Sequence, residues 1–336
     1  MSHKSSFFLT HLLLLLLVVA NLLWGSVHLD VAEVGRVVCG QADPQSTAAF
    51  IVLQSRLPQL LTALLSGAAL SVCGLVMQTL FANPLADPSL LGVNSGASLG
   101  AAVVMLALGG TVGVADGMLG STMLTIVGAF VGAAMVILLL VVASSMLRGT
   151  LALLVAGVMF SFAISAVISL LSFYATADGV RSFVVWGMGD FSGVTLPQMP
   201  LYALLVLLPG VAVGVMARPL NALLLGPDYA TNLGIRVKRV RTLLLLLTGL
   251  LTATVTALCG PVSFIGLAVP HLARLFLRTA DHRLLLPFSA VLGANVAMLA
   301  LLLSHLPGER GTIPLAAITP LIGVPVVLYI LLKNRH

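Results

Sequence analysis

The sequence predicts an all-α, polytopic membrane protein of about ten transmembrane helices with an inverted-topology repeat. Of its 336 residues, 60% are hydrophobic and only 8% are charged, a balance that soluble globular domains do not have. Apolar runs of about 20 residues, each long enough to cross ~30 Å of hydrocarbon as a helix, follow one another along the chain. Two distant segments also resemble each other, which predicts the repeat.

Apolar runs between charges and Gly/Pro breaks define ten spans. They cover residues 9–29, 56–81, 89–108, 120–143, 150–173, 198–217, 241–260, 264–278, 285–305 and 314–333. The first span follows Lys4 and is interpreted as a retained helix, because its apolar core is long and no A-x-A cleavage site closes it. The turn at 82–88 separates the second and third spans, and its Asn, Asp and Pro residues are typical of turns.

The basic residues predict the orientation. With a cytoplasmic N-terminus, twelve of the sixteen Lys and Arg residues face the cytoplasm, as the positive-inside rule requires. The outer side keeps Arg36, Arg56, Arg181 and Arg310. Because the number of spans is even, both termini are predicted to be cytoplasmic. The net charge of +6 sets topology and does not indicate nucleic-acid binding.

The predicted repeat rests on laying the second span on the seventh. Cys73-Gly74 then falls on Cys259-Gly260, and Pro84 falls on Pro270. Five spans separate the two copies, so they are expected to cross the membrane in opposite directions, as in inverted-topology transporters. A single membrane domain of residues 1–336 is expected.

The loop 218–241 is the one substantial polar interruption of the apolar pattern. It carries five basic residues against one acid, Asp228. Residues 223–226 and 228–234 predict two short helices broken at Gly226-Pro227. A short interfacial helix pair serves little purpose as a linker, so the loop is predicted to dock a cytoplasmic partner.

Several classes of function are disfavoured by residues that the spans lack. No Asp, Glu, Lys or Arg lies near the middle of a predicted span, which argues against an ion-coupled secondary transporter. No Ser/His, Asp/Asp or metal-ligand cluster at membrane depth suggests an intramembrane enzyme. The sequence also lacks a Walker A motif, so ATP hydrolysis by this chain is not expected. The three cysteines and the histidines are interpreted as packing and interface residues, with His305 kept as a possible outer contact for a cargo.

Short motifs spread over most of the chain resemble one family. They are Arg56-Leu57-Pro58, Gly67–Leu70 with Gly74, Asn83–Pro88, Leu91–Val93, Ala156–Val158, Leu224–Gly226 with Leu233-Gly234, Gly260–Leu267, Val269–His271, Asp281–Arg283 with Leu285–Pro287, and Leu321–Gly323 with Pro325. In order and spacing they resemble the FecCD family, the permease subunits of type II ABC importers for iron-siderophore complexes, haem and cobalamin. The similarity extends from about residue 50 to the C-terminus.

The resemblance implies partners for this chain. It implies a homodimer in the lipid of a bacterial inner membrane, two cytoplasmic ATPase subunits that hold ATP and Mg, and a periplasmic or lipid-anchored binding protein. No cofactor bound by this chain itself and no nucleic acid are implied.

The resemblance also implies roles for residues. Contact with the ATPase subunits falls to Leu225, Gly226, Tyr229, Ala230, Leu233 and Gly234. The translocation path follows the fifth span at the dimer axis, with an inner gate at Gly149, Thr150 and Leu151. Docking of the binding protein falls to Arg56, with Arg310 near a second such position.

The expected function is import of an iron chelate, a siderophore complex or haem, and the alternative is cobalamin. Three positions depart from the family pattern near the outer end: Leu301, His305 and Thr312 replace the Asp, Arg and Glu often found there. They bear on the cargo and on the binding-protein contact. Gly226→Pro, or a bulky charge at Ala230, is predicted to uncouple ATP hydrolysis from transport without unfolding the bundle.

Overall fold

The computed structural model describes residues 3–107, 118–147, 150–308 and 311–333. The described part is all-α. Its helices are α1 His3–Leu23, α2 Val31–Val38, α3 Thr47–Leu80, α4 Val93–Ala107, α5 Met118–Met146, α6 Thr150–Tyr174, α7 Ala177–Gly187, α8 Met199–Val215, α9 Ala217–Leu224, α10 Pro227–Asn232, α11 Val237–Cys259, α12 Ile265–Leu277, α13 His282–Ser304 and α14 Leu315–Lys333. Short 3₁₀ turns occupy Pro88–Leu91, Phe191–Gly193 and Leu196–Gln198.

The ten predicted spans correspond one to one with helices of the described residues. Seven helices are long and apolar enough to cross a membrane: α1, α3, α5, α6, α8, α11 and α13. Three shorter apolar helices, α4, α12 and α14, match the third, eighth and tenth predicted spans. The predicted fold class is therefore confirmed.

The largest boundary difference concerns the second span. Helix α3 begins at Thr47, where the Ser46 side chain accepts a hydrogen bond from the Ala49 N–H, and it passes through a π-helical stretch at Ile51–Arg56. The sequence placed the start at Arg56 because a charge normally ends an apolar run. Here Arg56 lies inside the helix and is buried among backbone carbonyls.

Two helices outside the ten spans were not predicted. Helix α2 begins after Asp30, which accepts from the Ala32 N–H, and α7 begins after Thr176, which accepts from the Gly179 N–H. Both are short and carry charged residues. A search for long apolar runs does not find such helices, because their start is set by a capping side chain and not by a run of apolar residues.

The directions of packed helices agree with successive membrane crossings. Helices α3 and α11 are antiparallel, since Ser66 meets Cys259 and Cys73 meets Thr248. Helices α3 and α13 are also antiparallel, since Ser71 bonds Ser289 while Thr79, further along α3, bonds His282 at the start of α13. A chain that crosses the membrane at each span gives these directions, because α3 is the second span and α11 and α13 are the seventh and ninth.

The proposed register of the internal repeat is not supported. Gly74 lies within α3, whereas Gly260 follows the end of α11. Pro84 lies in a turn, whereas Pro270 lies inside α12. The paired residues therefore occupy different structural contexts, although α3 and α11 run in opposite directions as expected.

Helix α3 lies at the centre of the bundle. It contacts α8, α11, α12 and α13. In the most apolar 18-residue segment of α3, 78% of the residues are buried within the chain, whereas in the corresponding segment of α6 only 11% are buried. A movement delivered to α3 therefore reaches several helices, while α6 presents most of its surface to lipid or to another molecule.

Candidate functional site

The polar loop between α8 and α11 folds into two short helices, as predicted. They are α9 and α10, and they meet at Leu225 and Gly226. Gly226 has φ +107° and Gly234, after α10, has φ +80°, which are backbone conformations that favour glycine. Pro227 starts α10, where a missing N–H costs nothing. These local signals fixed the break, although α9 begins earlier than the sequence indicated.

The loop has a buried face and an exposed apolar face. Leu220 and Ala230 are fully buried, and Ala222 is nearly so. Leu225, Tyr229 and Leu233, spaced four residues apart, expose 66%, 48% and 59% of their surface. Clustered apolar side chains held outside the bundle on a polar loop are typical of a surface that binds a protein partner. We refer to Leu225, Tyr229 and Leu233 as the exposed coupling surface.

Burial of Ala230 corrects one prediction. A bulky charge at Ala230 would have to enter the packed side of α10, so it would disturb the loop itself. Gly226→Pro is equally disruptive, because the proline ring fixes φ near −65° and Gly226 needs a positive φ. Leu233 is the cleaner position for a test, since its side chain is exposed.

Asn221 joins α9 to the beginning of α13. Its Nδ2 donates to Asp281 Oδ1 at 2.6 Å, and its Oδ1 accepts from the backbone N–H of His282 at 2.8 Å. The same oxygen lies 2.8 Å from His282 Nδ1. Since a backbone N–H can only donate, the Asn221 oxygen is an acceptor, and His282 Nδ1 must carry a proton.

Asp281 caps α13 and holds Asn221. Its Oδ1 also accepts from the Arg283 N–H at 2.9 Å. This backbone hydrogen bond, followed by the one from Asn221, holds the pKa of the Asp281 carboxyl below its usual value. Asp281 is thus an ionised acceptor at neutral pH, and its stabilising contribution is lost only as the pH falls through the lowered pKa.

The same group of contacts continues into the centre of the bundle. His282 is fully buried, and its Nε2 lies 2.8 Å from Thr79 Oγ1 near the end of α3. In the neutral ring with a proton on Nδ1, Nε2 is an acceptor, and the single hydroxyl proton of Thr79 is shared between this nitrogen and the carbonyl of Leu75 at 3.0 Å. The neighbouring Gln78 accepts from Arg274 Nη1 of α12 at 2.5 Å. Sequence reasoning gave no role to Asn221, Gln78 or Thr79. Gln78 and Thr79 could have been found as polar residues at the end of an otherwise apolar span.

Arg56 has a structural role that the sequence did not suggest. Its guanidinium donates to the carbonyls of Leu22, Leu23 and Val27, at 2.5, 3.0 and 2.5 Å. These carbonyls lie at and beyond the end of α1, where the last carbonyl groups of a helix have no N–H partner within the helix. Arg56 therefore fastens the end of α1 to α3, and its role in docking a binding protein stays a prediction. Arg310 lies outside the described residues.

The predicted inner gate is described only in part. Gly149 lies outside the described residues, and α6 begins at Thr150. Leu151 in the first turn exposes 72% of its surface. The role of this turn as a gate stays a prediction.

The histidines and cysteines give no metal centre among the described residues, where no group of three or more His, Cys, Asp or Glu side chains is close enough to hold an ion. Cys73 and Cys259 are buried free thiols and Cys39 is exposed. His271 Nε2 lies 2.8 Å from the carbonyl of Pro84, in the turn after α3. His271 and His282 thus make contacts between elements.

Comparisons with known proteins agree with one another. The family model described as the FecCD transport family matches residues 13–333. The chain is 37% identical over 286 residues to the vitamin B12 import system permease protein BtuC of Escherichia coli O9:H4 (strain HS), covering 85% of this chain and 84% of that protein. It is 36% identical over 286 residues to BtuC of Klebsiella pneumoniae, covering 84% and 83%.

A solved structure described as an inward-facing conformation of a metal-chelate type ABC transporter superposes with a TM-score of 0.84. It is 29% identical in sequence, and the match covers 98% of this chain and 99% of that chain. The similarity extends over almost the whole length of both chains, so it includes the loop 218–241.

Proposed function

Because the chain belongs to the FecCD transport family, membrane permease subunits of ABC transporters, we propose that it moves a large metal chelate across a bacterial inner membrane. The permease is not itself an enzyme, and ATP is hydrolysed by a separate ATPase subunit. The family also implies a substrate-binding partner. The observation that carries the proposal is the exposed coupling surface on a chain with this family membership.

The exposed coupling surface is the proposed contact with the ATPase subunits. Leu225, Tyr229 and Leu233 are apolar and accessible, and α9 behind them is bonded to α13 through Asn221. Closure of two ATPase subunits on ATP would displace this surface, and the bonded helices would follow. ATP and Mg belong to the partner, and no cofactor is assigned to this chain.

The translocation path is proposed to follow α6, at the axis of a homodimer. Only 11% of the residues in the most apolar 18-residue segment of α6 are buried within one chain. Two exposed serines, Ser165 and Ser169, lie one turn apart on it, and the Ser169 hydroxyl donates to the Ser165 carbonyl at 2.9 Å. Exposed hydroxyl groups favour a surface that meets a second subunit or water over one that meets only lipid. This supports α6 as a helix that lines the translocation path. We also propose that both termini lie in the cytoplasm, as the distribution of Lys and Arg indicates.

The comparisons change the order of the cargo candidates. Cobalamin becomes the first candidate, because relatives at 36–37% identity are named vitamin B12 permeases. An iron chelate, either a siderophore complex or haem, is the second candidate, supported by the metal-chelate type transporter with the same fold. Both are large chelates and fit a pathway with few fixed charges. Whatever the cargo, its binding can shift the balance between the outward-open and inward-open states only through different affinities for them.

Uptake into proteoliposomes tests the function. The permease is reconstituted with its ATPase and binding protein and is offered cobalamin, an iron-siderophore complex and haem, each with and without ATP. We expect ATP-dependent accumulation of one cargo. Accumulation without the ATPase subunit would overturn the importer assignment in favour of a secondary carrier.

Leu233→Asp tests the proposed ATPase contact. The new charge lies on an exposed side chain, so the bundle is expected to fold. The ATPase subunits should bind this variant less well, and cargo uptake should fall in proportion to the fraction of permease that carries them. Asp228→Asn, an exposed change in the same helix, is the matched control. Normal ATPase binding by Leu233→Asp would exclude the exposed coupling surface as the contact.

A further inference from the structure

The exposed coupling surface is useful only if its movement reaches the membrane helices. Helix α9 contacts both α13 and α3, and Leu220 and Ala222 supply apolar packing. Apolar contacts are not directional and can slide. The polar side chain that faces α13 is Asn221, whose three hydrogen bonds fix one geometry.

The connection runs through three elements without interruption. Asn221 on α9 bonds Asp281 and His282 at the start of α13, and His282 bonds Thr79 near the end of α3. Thr79 and His282 are buried, with 5% and 0% of their surface exposed. A buried donor or acceptor that loses its partner is expensive, so separation of these helices is opposed.

Helix α3 then distributes the movement. Gln78, next to Thr79, accepts from Arg274 and donates to the carbonyl of Leu267, both of α12. The end of α3 thus holds α13 on one side and α12 on the other. By contrast, the Thr231 hydroxyl of α10 bonds the carbonyl of Pro227 within its own helix. Helix α10 packs against α11 through apolar contacts, so the polar connection between the loop and the bundle comes from α9.

We propose that Asn221, His282 and Thr79 are positioning residues for energy coupling, which make α9, α13 and α3 move as one body when the ATPase subunits displace the exposed coupling surface. This inference rests on the proposed function. The family resemblance assigned the ATPase contact to the residues from Leu225 to Gly234, whereas this connection lies between α9, α13 and α3.

Removal of one hydroxyl tests the connection. In Thr79→Val the shape is kept and the donor to His282 is lost; Thr79→Ser keeps the donor. Thr62→Val is the matched control, since Thr62 lies in the same helix, is fully buried, and bonds only the carbonyl of Pro58 in its own helix. ATP hydrolysis and cargo uptake are measured on the same proteoliposomes, and the readout is cargo moved per ATP.

For Thr79→Val we expect assembled complexes that hydrolyse ATP but move about five- to tenfold less cargo per ATP, the size of a typical coupling free energy. Thr79→Ser and Thr62→Val should match the wild type. An unchanged ratio in Thr79→Val overturns the proposal, as does an equal loss in Thr79→Ser, which would mean that side-chain shape and not the hydroxyl matters.

Asn221→Ala keeps the proposal testable if Thr79→Val does not assemble. Asn221 is half-buried on the loop, outside the membrane helices, and its truncation removes the same connection at the other end. The ratio should fall as for Thr79→Val, and an unchanged ratio overturns the proposal. A wild-type protein without ATP-dependent uptake would instead refute the proposed function, so the two failures are distinguishable.

Discussion

Asp87 shows how a single side chain shapes the turn between α3 and α4. Its Oδ1 accepts from the Ser89 N–H at 2.8 Å and from the Ser89 hydroxyl at 2.5 Å, and so starts the 3₁₀ turn at Pro88. Burial nevertheless raises the pKa of the carboxyl, more than these hydrogen bonds lower it. The cap requires an oxygen acceptor at this position, while the negative charge is a cost.

The first prediction concerns Asp87. We expect Asp87→Asn, which keeps the oxygen acceptor, to be at least as stable as the wild type, and Asp87→Ala to lose about 1 kcal/mol with the cap. Thermal unfolding in detergent measures both. Because the folded pKa is raised, the carboxyl destabilises the fold more as the pH rises through that pKa, so the advantage of Asp87→Asn should shrink toward pH 4. A marked loss in Asp87→Asn would show that the charge itself is required.

At the scale of elements, glycines decide how closely the helices pack. A Cβ on Gly74 would overlap the carbonyl group of Gly266, and one on Gly67 would overlap that of Gly293. The first pair brings α3 against α12 and the second brings α3 against α13. In lipid, where apolar side chains gain little by leaving the surroundings, this close backbone approach supplies the packing energy.

The second prediction tests that packing. Gly74→Val should push α3 from α12 and destabilise the bundle by at least about 1–3 kcal/mol, the usual cost of overpacking. Thermal unfolding and the yield of monodisperse protein report it. Gly210→Ala on α8, where an added Cβ meets nothing within 4 Å, is the control and should behave as the wild type. A stable Gly74→Val protein would mean that α12 is free to move away from α3.

At the scale of the whole molecule, the described chain has a core of buried helices, and α6 is the least buried of its seven long apolar helices. Helices α3, α11 and α13 are largely buried: 78%, 67% and 67% of the residues in their most apolar 18-residue segments lie inside the chain. Helix α6 lies at the periphery and exposes Phe162, Phe173 and Leu151. The exposed side of α6 and the exposed coupling surface are both accessible to other molecules.

The third prediction is the composition of the complex. Native mass spectrometry of the permease with its ATPase should find two 34.7 kDa chains for two ATPase subunits. The Leu233→Asp variant should keep two permease chains while losing the ATPase, because the proposed dimer contact lies on α6 and not on the loop that carries Leu233. A single permease chain in the wild-type complex would refute the dimer.

The sequence by itself determined the membrane class, the ten apolar helices of the described residues and the break between α9 and α10. These features depend on consecutive residues: the summed hydropathy of a segment, a glycine with a positive φ, a proline at the start of a helix. The tertiary structure alone decided that Arg56 is buried against α1, that Ala230 is packed, and that Asn221, His282 and Thr79 meet. Those facts depend on pairs of residues far apart in the chain, and a local pattern of apolar and polar residues does not specify which distant partner each side chain faces.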